Sequence, residues 1–149
     1  MGDVMANLFQ RIIVPVDGSE VAKRAAKKAL ALAQATDIKV VALHVINIPD
    51  LPSSYAYPGA IRYQEMRDFS QKEGQWYLDE IEQMGNQMGV TVSKKLVDGH
   101  PAEEIIKEAQ KGDLIVMGSK GRTGLDRLLM GSIAENVTRH ASCPVMIVK

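Results

Sequence analysis

The hydrophobic pattern of this chain alternates between short apolar runs and stretches with helical periodicity. The runs predict strands that are buried in a parallel sheet. These predicted strands span residues 11–17, 39–46, 90–97, 114–117 and 144–148. Lys94 and Lys95 interrupt the third run, which is typical of an edge strand protected by charge. Pro15 has no backbone N–H to donate, so we expect it at the carboxyl end of the first strand.

Between the runs, apolar residues recur mostly at three- and four-residue steps, and this spacing predicts helices. The predicted helices span residues 19–35, 60–88, 101–110 and 132–140. Residues 47–59 contain three prolines and no periodicity, so they predict a long loop.

Two helices carry expectations about individual side chains. The period of the second helix is carried by Met66, Phe69, Tyr77, Ile81, Met84 and Met88. Trp76, in the same helix, is expected in the core or on a packing surface rather than as a platform for a base. In and just after the last helix, we expect four residues to face the sheet: Ile133, Ala134, Val137 and Ala141.

Strands and helices alternate along the chain, which predicts an α/β fold. Because parallel strand–helix–strand units are right-handed, we expect a doubly wound, five-stranded parallel sheet with helices on both faces. A length of 149 residues supports one substantial core, so we expect a single domain over residues 1–149. In such open sheets, ligands bind beyond the carboxyl ends of the strands, where the strand order reverses.

The composition of the chain limits which classes of partner and which compartment we expect. Lys and Arg total 18, as do Asp and Glu, so no charge excess points to a long nucleic acid. No apolar run approaches the roughly 20 residues that cross a bilayer, and the first residues, MGDVMANLFQ, do not resemble a secretory signal. The single cysteine, Cys143, fits a reducing compartment, and we expect a cytoplasmic protein without membrane contact.

Two loops are expected to meet at the ligand-binding edge of the sheet. Residues 15–18 follow the first strand, and the glycine-rich segment 118–132 follows the fourth. Glycine lets a ligand approach main-chain amides, and Gly131 and Ser132 open a helix whose first amides favour an anion. Positive charge is supplied nearby by Lys120, Arg122 and Arg127. A tight turn with solvated basic side chains explains the same residues, and both interpretations remain open at this point.

Several other functional classes fit the spacing less well. The motif GxxxxGK[ST] of P-loop proteins is absent, and no GxGxxG follows the first strand. A phosphate-accepting receiver domain would match Asp98 at the end of the third strand, but the acidic pair after the first strand is reduced to Asp17. Three scattered histidines and Cys143 have no metal-ligand spacing. Phosphoryl transfer needs a positioned base and metal-binding carboxylates, for which Asp17 is the single candidate.

The pattern Gly118-x2-Gly121-x9-Gly131-Ser132 resembles the nucleotide-binding signature of the universal stress protein family. Four further stretches match that family in order: IIVPVDGSE, ALHVI, IVMGSKGRTG and CPVMIVK. The resemblance spans essentially the whole chain and is weakest over residues 47–89. It implies the ATP-binding branch, strand order 3-2-1-4-5 and a fold like that of the adenine nucleotide alpha hydrolases.

The resemblance also implies where a nucleotide lies. Adenine and ribose are expected near the ends of the first two strands, with Val45 contributing its backbone, and the phosphates near the glycine loop and the helix that follows. The implied binding residues are Pro15, Val16, Asp17, Val45, Met117, Gly118, Ser119, Lys120, Gly121, Arg122, Thr123, Gly124, Gly131, Ser132, Ile133 and Ala134. No catalytic residue is assigned, and Mg²⁺ is expected to arrive with the phosphates.

The function implied is that of a regulator or switch in a stress response, which holds ATP, ADP or AMP. An unidentified regulatory protein is its expected partner, and a homodimer is expected through Val145–Val148, because an apolar edge strand invites pairing with a second copy. A slow ATPase or phosphotransferase using the same pocket, and an interaction module without nucleotide, are the alternatives.

Three candidate residues also have structural interpretations. Asp17 can bind a ribose hydroxyl, or it can cap the first helix, since Asp17-x-x-Glu20 has capping-box spacing. Ser132 can cap the last helix as well as contact an anion. His44 is expected to be a buried, hydrogen-bonded residue rather than a base.

Overall fold

Five parallel strands form one sheet in the computed structural model, which describes residues 8–47, 57–120 and 130–149, with only the backbone described at 57–62. The strands are β1 (Arg11–Pro15), β2 (Lys39–Asn47), β3 (Val92–Gly99), β4 (Leu114–Gly118) and β5 (Val145–Val148). Their order is β3-β2-β1-β4-β5. The predicted fold class and strand order are therefore confirmed, as are the edge position of β3 and the place of Pro15 at the end of β1.

Four helices lie in the described parts of the chain. They are α1 (Glu20–Thr36), α2 (Tyr57–Gln87), α3 (Pro101–Glu108) and α4 (Ser132–His140). The bounds of α4 match the prediction. The predicted loop at 47–59 is too long at its carboxyl end, because α2 already begins at Tyr57; residues 48–56 lie outside the described part.

The two faces of the sheet have separate cores. Side chains alternate along β1, so Ile12 and Val14 pack with α1 and α2, whereas Ile13 packs on the opposite face with α3 and α4. The buried stripe of α1 consists mostly of alanine, which lets the helix pack closely on the strands. This arrangement leaves the carboxyl ends of β1, β2 and β4 accessible between the two helical layers.

The starts of two helices differ from their expected caps. Ser19 caps α1, and its Oγ accepts from the amide of Ala22 at 3.1 Å. Asp17 is therefore not the helix cap; its Oδ1 instead accepts from the amide of Ser19 at 2.9 Å. In α4 the cap position is held by Gly131, and Ser132 is the first helical residue. Neither Asp17 nor Ser132 therefore acts as the helix cap that its position in the sequence suggested.

Large side chains of α2 divide between the core and the surface. Tyr77, Leu78 and Ile81 are buried against the sheet. Trp76 is 61% exposed, so of its two expected places, core or packing surface, the core is excluded; its ring lies 5.8 Å from that of Tyr77. Met66 and Phe69 are also exposed. The carboxyl-terminal half of α2 is thus anchored in the core, while its preceding turns stand beside the strand ends.

A network of charges lies at the opposite, amino-terminal end of the sheet. Arg11 at the start of β1 donates to both carboxylate oxygens of Asp113, at 3.2 and 2.7 Å. It also donates to Oε2 of Glu108 at 3.0 Å, and Lys95 of β3 pairs with the same carboxylate. Asp113 is fully buried. The network joins β1, β3, α3 and the segment before β4.

This network makes stability depend on pH through Glu108. Burial raises the pKa of Glu108, but the hydrogen bonds and charges of Lys95 and Arg11 outweigh it, so the net pKa lies below the ordinary value. A depressed carboxyl pKa stabilises the fold above the unfolded-state pKa, and that stabilisation disappears as the pH falls through the folded-state value. We expect the urea concentration at the unfolding midpoint to decrease when the pH is lowered beyond about 4.5. The Glu108→Gln variant should lose part of this pH dependence. An unchanged pH profile in the variant would contradict this assignment.

Candidate functional site

A cleft of about 860 Å³ opens at the carboxyl ends of β1, β2 and β4. Its walls come from α2 on one side and from the starts of α3 and α4 on the other. The described lining residues are Pro15, Val16, Asp17, Ala22, Leu43, His44, Val45, Ile46, Asn47, Glu65, Met66, Phe69, Ser70, Glu73, Pro101, Ile105, Met117, Gly118, Lys120, Gly131, Ser132, Ile133 and Ala134. This volume lies within the range of pockets that enclose small ligands.

The turn after β1 presents Asp17 to the cleft. Val16 extends the pairing of β1 beyond its last strand residue, since its amide donates to the carbonyl of Leu43 at 2.8 Å. Oδ1 of Asp17 accepts from the amide of Ser19, an Asx-type turn that fixes the carboxylate beside the chain. An ionised carboxylate offers about four lone-pair positions, so Asp17 keeps capacity to accept from a ligand hydroxyl.

The amino terminus of α4 enters the cleft from the other side. Gly131 caps the helix without a side-chain hydrogen bond, and its carbonyl accepts from the amide of Glu135 at 2.9 Å. The amide of Gly131 donates to the carbonyl of Ser119 at 2.7 Å and is therefore not available to a ligand. The next amides, from Ser132 to Ala134, belong to the first turn, where a helix has no internal acceptors.

The backbone conformations of Gly118 and Gly131 do not require glycine, and helix packing accounts for Gly118. A Cβ at Gly118 would lie 2.5 Å from Cγ1 of Val21, so glycine at this position permits α1 to pack on β4. Gly131 has φ −66° and ψ 157°, which is ordinary extended backbone. Positive φ therefore explains neither residue. Gly121 and Gly124 lie outside the described residues.

The cleft has a charged rim and an apolar wall. Lys120 provides its positive charge among the described residues, and Asp17, Glu65 and Glu73 provide carboxylates. Ile133 does not face the sheet as expected; it is exposed and lines the cleft, opposite Met66 and Phe69 of α2. The arrangement suits a ligand that has an apolar body, hydroxyl groups and an anionic end.

Most of the candidate residues lie at this one cleft. It is lined by Pro15, Val16, Asp17, Val45, Met117, Gly118, Lys120, Gly131, Ser132, Ile133 and Ala134. Ser119 does not line it; its amide donates to the carbonyl of Val148 at 3.0 Å. Gly121, Arg122, Thr123 and Gly124 lie outside the described part of the chain, as does Arg127.

Sequence reasoning missed the contribution of α2. Glu65, Met66, Phe69, Ser70 and Glu73 line the cleft, at spacings of one helical face. The exposed residues Met66 and Phe69 follow the same helical spacing as the core residues of α2. The hydrophobic pattern therefore could not distinguish residues of the cleft wall from residues of the core. Arg67 fastens this part of α2 to β3 by an ion pair with Asp98. Asp98 is therefore engaged outside the cleft lining, which removes the support for a receiver-type acceptor.

Neither a cluster of metal-binding side chains nor a membrane-spanning helix occurs among the described residues. Among residues 8–47, 57–120 and 130–149, no three His, Cys, Asp or Glu side chains are grouped to hold a metal ion. Within the same described ranges, no helix combines the length and the apolar character needed to span a membrane.

Comparison with known proteins decides the family. The sequence profile of the universal stress protein family matches residues 8–149. The chain belongs to the universal stress protein family. Universal stress protein MJ0531 of Methanocaldococcus jannaschii is 39% identical over 145 residues, which cover 96% of this chain and 84% of that relative. The resemblance drawn from the glycine spacing is thereby confirmed.

Solved structures of universal stress proteins share the fold. MJ0577 of the same archaeon has a TM-score of 0.80 at 31% identity and covers 95% of this chain and 96% of its own. A universal stress protein in complex with cAMP has a TM-score of 0.69 at 26% identity, over 95% and 98% of the two chains. An Arabidopsis thaliana family protein with AMP bound has a TM-score of 0.66 at 25% identity, over 94% and 91%.

Proposed function

We propose that this universal stress protein binds an adenine nucleotide in the cleft and acts as a nucleotide-dependent regulator in a stress response. The observation that carries the proposal is the meeting of the Asp17 turn and the start of α4 at one cleft. The complexes of related proteins with AMP and cAMP support it. We extend the assignment to ATP and ADP, because the glycine signature that marks the ATP-binding branch is intact in this sequence.

The residues of the cleft suit the three parts of a nucleotide. The adenine would lie near the end of β2, against the backbone of Val45 and the apolar surface of Met117 and Ile133. Asp17 would accept hydrogen bonds from ribose hydroxyls. The first-turn amides of α4 would donate to phosphate oxygens, since the helix dipole favours an anion there. Lys120 would add a positive charge beside them.

We propose that Mg²⁺ accompanies a di- or triphosphate rather than occupying a protein site of its own. Magnesium commonly keeps several waters and binds through phosphate oxygens with one or two carboxylates. Asp17, Glu65 and Glu73 line the same cleft and would tolerate a triphosphate better when a divalent cation neutralises part of its charge. No catalytic residue is proposed.

The wider assignments rest on features of the fold. We propose one domain for residues 1–149, since the two cores share a single sheet. β5 is an edge strand of four residues with Met146 exposed, which supports a homodimer through Val145–Val148. The free, buried thiol of Cys143 fits a reducing cytoplasm. An unidentified regulatory protein would read the nucleotide-bound state.

The decisive experiment is to release small molecules from freshly purified protein, identify them by mass, and then titrate the emptied protein calorimetrically. We expect an adenine nucleotide in the released fraction, and saturable binding of AMP, ADP or ATP with one site per chain. GTP should bind more weakly, because its base offers a different hydrogen-bonding edge to the backbone of β2.

Two outcomes would change the conclusion. Protein that releases no nucleotide and ignores added AMP, cAMP and ATP would leave only the interaction module. Release of ADP from ATP at about one turnover per second or faster would instead favour the enzyme, because typical enzymes begin near that rate.

A further inference from the structure

His44 of β2 connects three parts of the cleft. Its Nδ1 lies 2.6 Å from the carbonyl oxygen of Val16, the residue that follows the neighbouring strand β1. Because a carbonyl can only accept, Nδ1 must carry the proton. The imidazole itself lines the cleft and is half-buried. It therefore contributes to the floor of the site while its polar edge is directed at the backbone of the neighbouring strand.

The imidazole is held on its other sides by α2. Its ring meets the ring of Tyr77 in an edge arrangement, with centroids 5.5 Å apart and an interplanar angle of 67°. Gly74 lies against it so closely that a Cβ there would stand 2.5 Å from Cδ2 of the imidazole. Close packing of this kind restricts the ring to one orientation, and that orientation directs Nδ1 at Val16.

The hydrogen bond from His44 completes the attachment of Val16 to β2. The amide of Val16 already donates to the carbonyl of Leu43, so both of its backbone polar groups are bound by the neighbouring strand. The next residue is Asp17, whose carboxylate accepts from the amide of Ser19. The three links measure 2.6, 2.8 and 2.9 Å, and together they define where the Asp17 carboxylate lies relative to the cleft.

We propose that His44 is a positioning residue, which fixes the Asp17 turn in its ligand-binding geometry by donating from Nδ1 to the Val16 carbonyl. The turn follows β1 directly, and β1 ends at Pro15; beyond it, one ladder hydrogen bond, from the amide of Val16 to the carbonyl of Leu43, holds the turn alongside the bond from His44. Without the donor, the buried carbonyl would lose its partner and the turn would shift to find water. The effect on binding rests on the proposed function, whereas the effect on the turn does not.

The first test uses the ligand-free protein. Nitrogen NMR of the unmodified chain should show His44 protonated at Nδ1 and, in its neutral form, unprotonated at Nε2. In His44→Leu, the Ser19 amide should exchange about ten-fold faster, because its Asp17 acceptor is displaced. His44→Asn places an N–H near the Nδ1 position and should restore slow exchange. His140→Leu, on the exposed face of α4, is the matched control and should change nothing.

The second test measures nucleotide affinity in a double-mutant cycle. His44→Leu should weaken AMP binding about ten-fold, equivalent to about 1.4 kcal/mol, while His44→Asn stays within about three-fold. If His44 acts through Asp17, the same substitution in an Asp17→Ala background should cost no more than about two-fold, the usual limit of additivity errors. Additive losses would mean that His44 affects binding independently of Asp17, through the ligand or through the fold, and they would overturn the proposal.

The two tests separate failure of this inference from failure of the proposed function. An Nε2–H tautomer, or a Ser19 amide that ignores His44→Leu, overturns the inference whether or not nucleotides bind. A wild-type chain that binds no adenine nucleotide but shows the expected tautomer and exchange would reject the proposed function and retain the positioning of the turn. The tautomer is read on unmodified protein, so a variant that fails to fold does not block the decision.

Discussion

Replacing Asp113 with alanine is expected to lower the free energy of unfolding by about 3 kcal/mol, because breaking an ion pair that has a buried partner is strongly destabilising, although Arg11 keeps its second partner, Glu108. Asp113 is 0% exposed and accepts two hydrogen bonds from Arg11. It also accepts from the amide of Gln110 at 2.8 Å, so the truncation removes an acceptor from a backbone group as well. Urea unfolding monitored through Trp76 and by circular dichroism measures the loss.

Two comparison variants sharpen this prediction. Asp113→Asn keeps the volume and one acceptor oxygen, so it should lie between wild type and alanine. Asp79→Ala removes another aspartate with a lysine partner, but that pair lies at the surface and should contribute little. Equal losses at positions 79 and 113 would contradict the argument from burial. Because the network lies at the opposite end of the sheet from the cleft, nucleotide affinity of folded Asp113→Ala should not change.

Replacing Ser132 with proline is expected to weaken binding of AMP about 20-fold, because a hydrogen bond from an amide to a charged oxygen contributes roughly 1.5–3 kcal/mol. Ser132 is the first residue of α4, where proline fits and its missing N–H costs the helix nothing. The preceding Gly131 has ψ 157°, which is compatible with a following proline. The substitution therefore removes an amide donor without disturbing the helix.

Calorimetric titration of three variants, with AMP and with adenosine as ligands, isolates that amide. Ser132→Ala removes the hydroxyl alone, so the difference between the alanine and proline variants reports the N–H. Adenosine lacks a phosphate, and its affinity should be similar in both variants. Glu20→Pro is the matched control, since it also places proline first in a helix, after Ser19 with ψ 157°, but outside the cleft lining. If adenosine and AMP weaken equally in Ser132→Pro, the phosphate does not lie at α4.

The strands and the last helix could be predicted because their patterns allow one interpretation. Residues 114–117 are continuously apolar, and all are buried in β4. Residues 132–140 follow a glycine and precede a strand, and α4 has those bounds. The start of α2 could not be predicted, because prolines and glycine near residue 58 resemble a loop although proline is tolerated in the first turn of a helix.

The location of the candidate site could be predicted, because it depends on which loops follow the strands. Loops after β1 and β4 must meet, since parallel strands end at the same edge, and Asp17 and Ser132 do line one cleft. That His44 is hydrogen-bonded was predicted, but its partner was not, and neither was the packing role of Gly118. Gly118 contacts Val21, and His44 contacts Val16, residues that lie 97 and 28 positions away along the chain. No local period encodes such contacts.

The amino-acid sequence by itself determined the α/β class, the alternation of elements and the family, because burial on both faces of a sheet imposes continuous apolar runs and the glycine spacing is distinctive. The tertiary structure alone decided which groups face the cleft. It showed that α2 forms a wall of the cleft, that the Gly131 amide donates to the Ser119 carbonyl, and that the imidazole of His44 is hydrogen-bonded to the Val16 carbonyl. These features arise from packing between distant segments, where a contact depends on how two elements are placed relative to each other rather than on the composition of either.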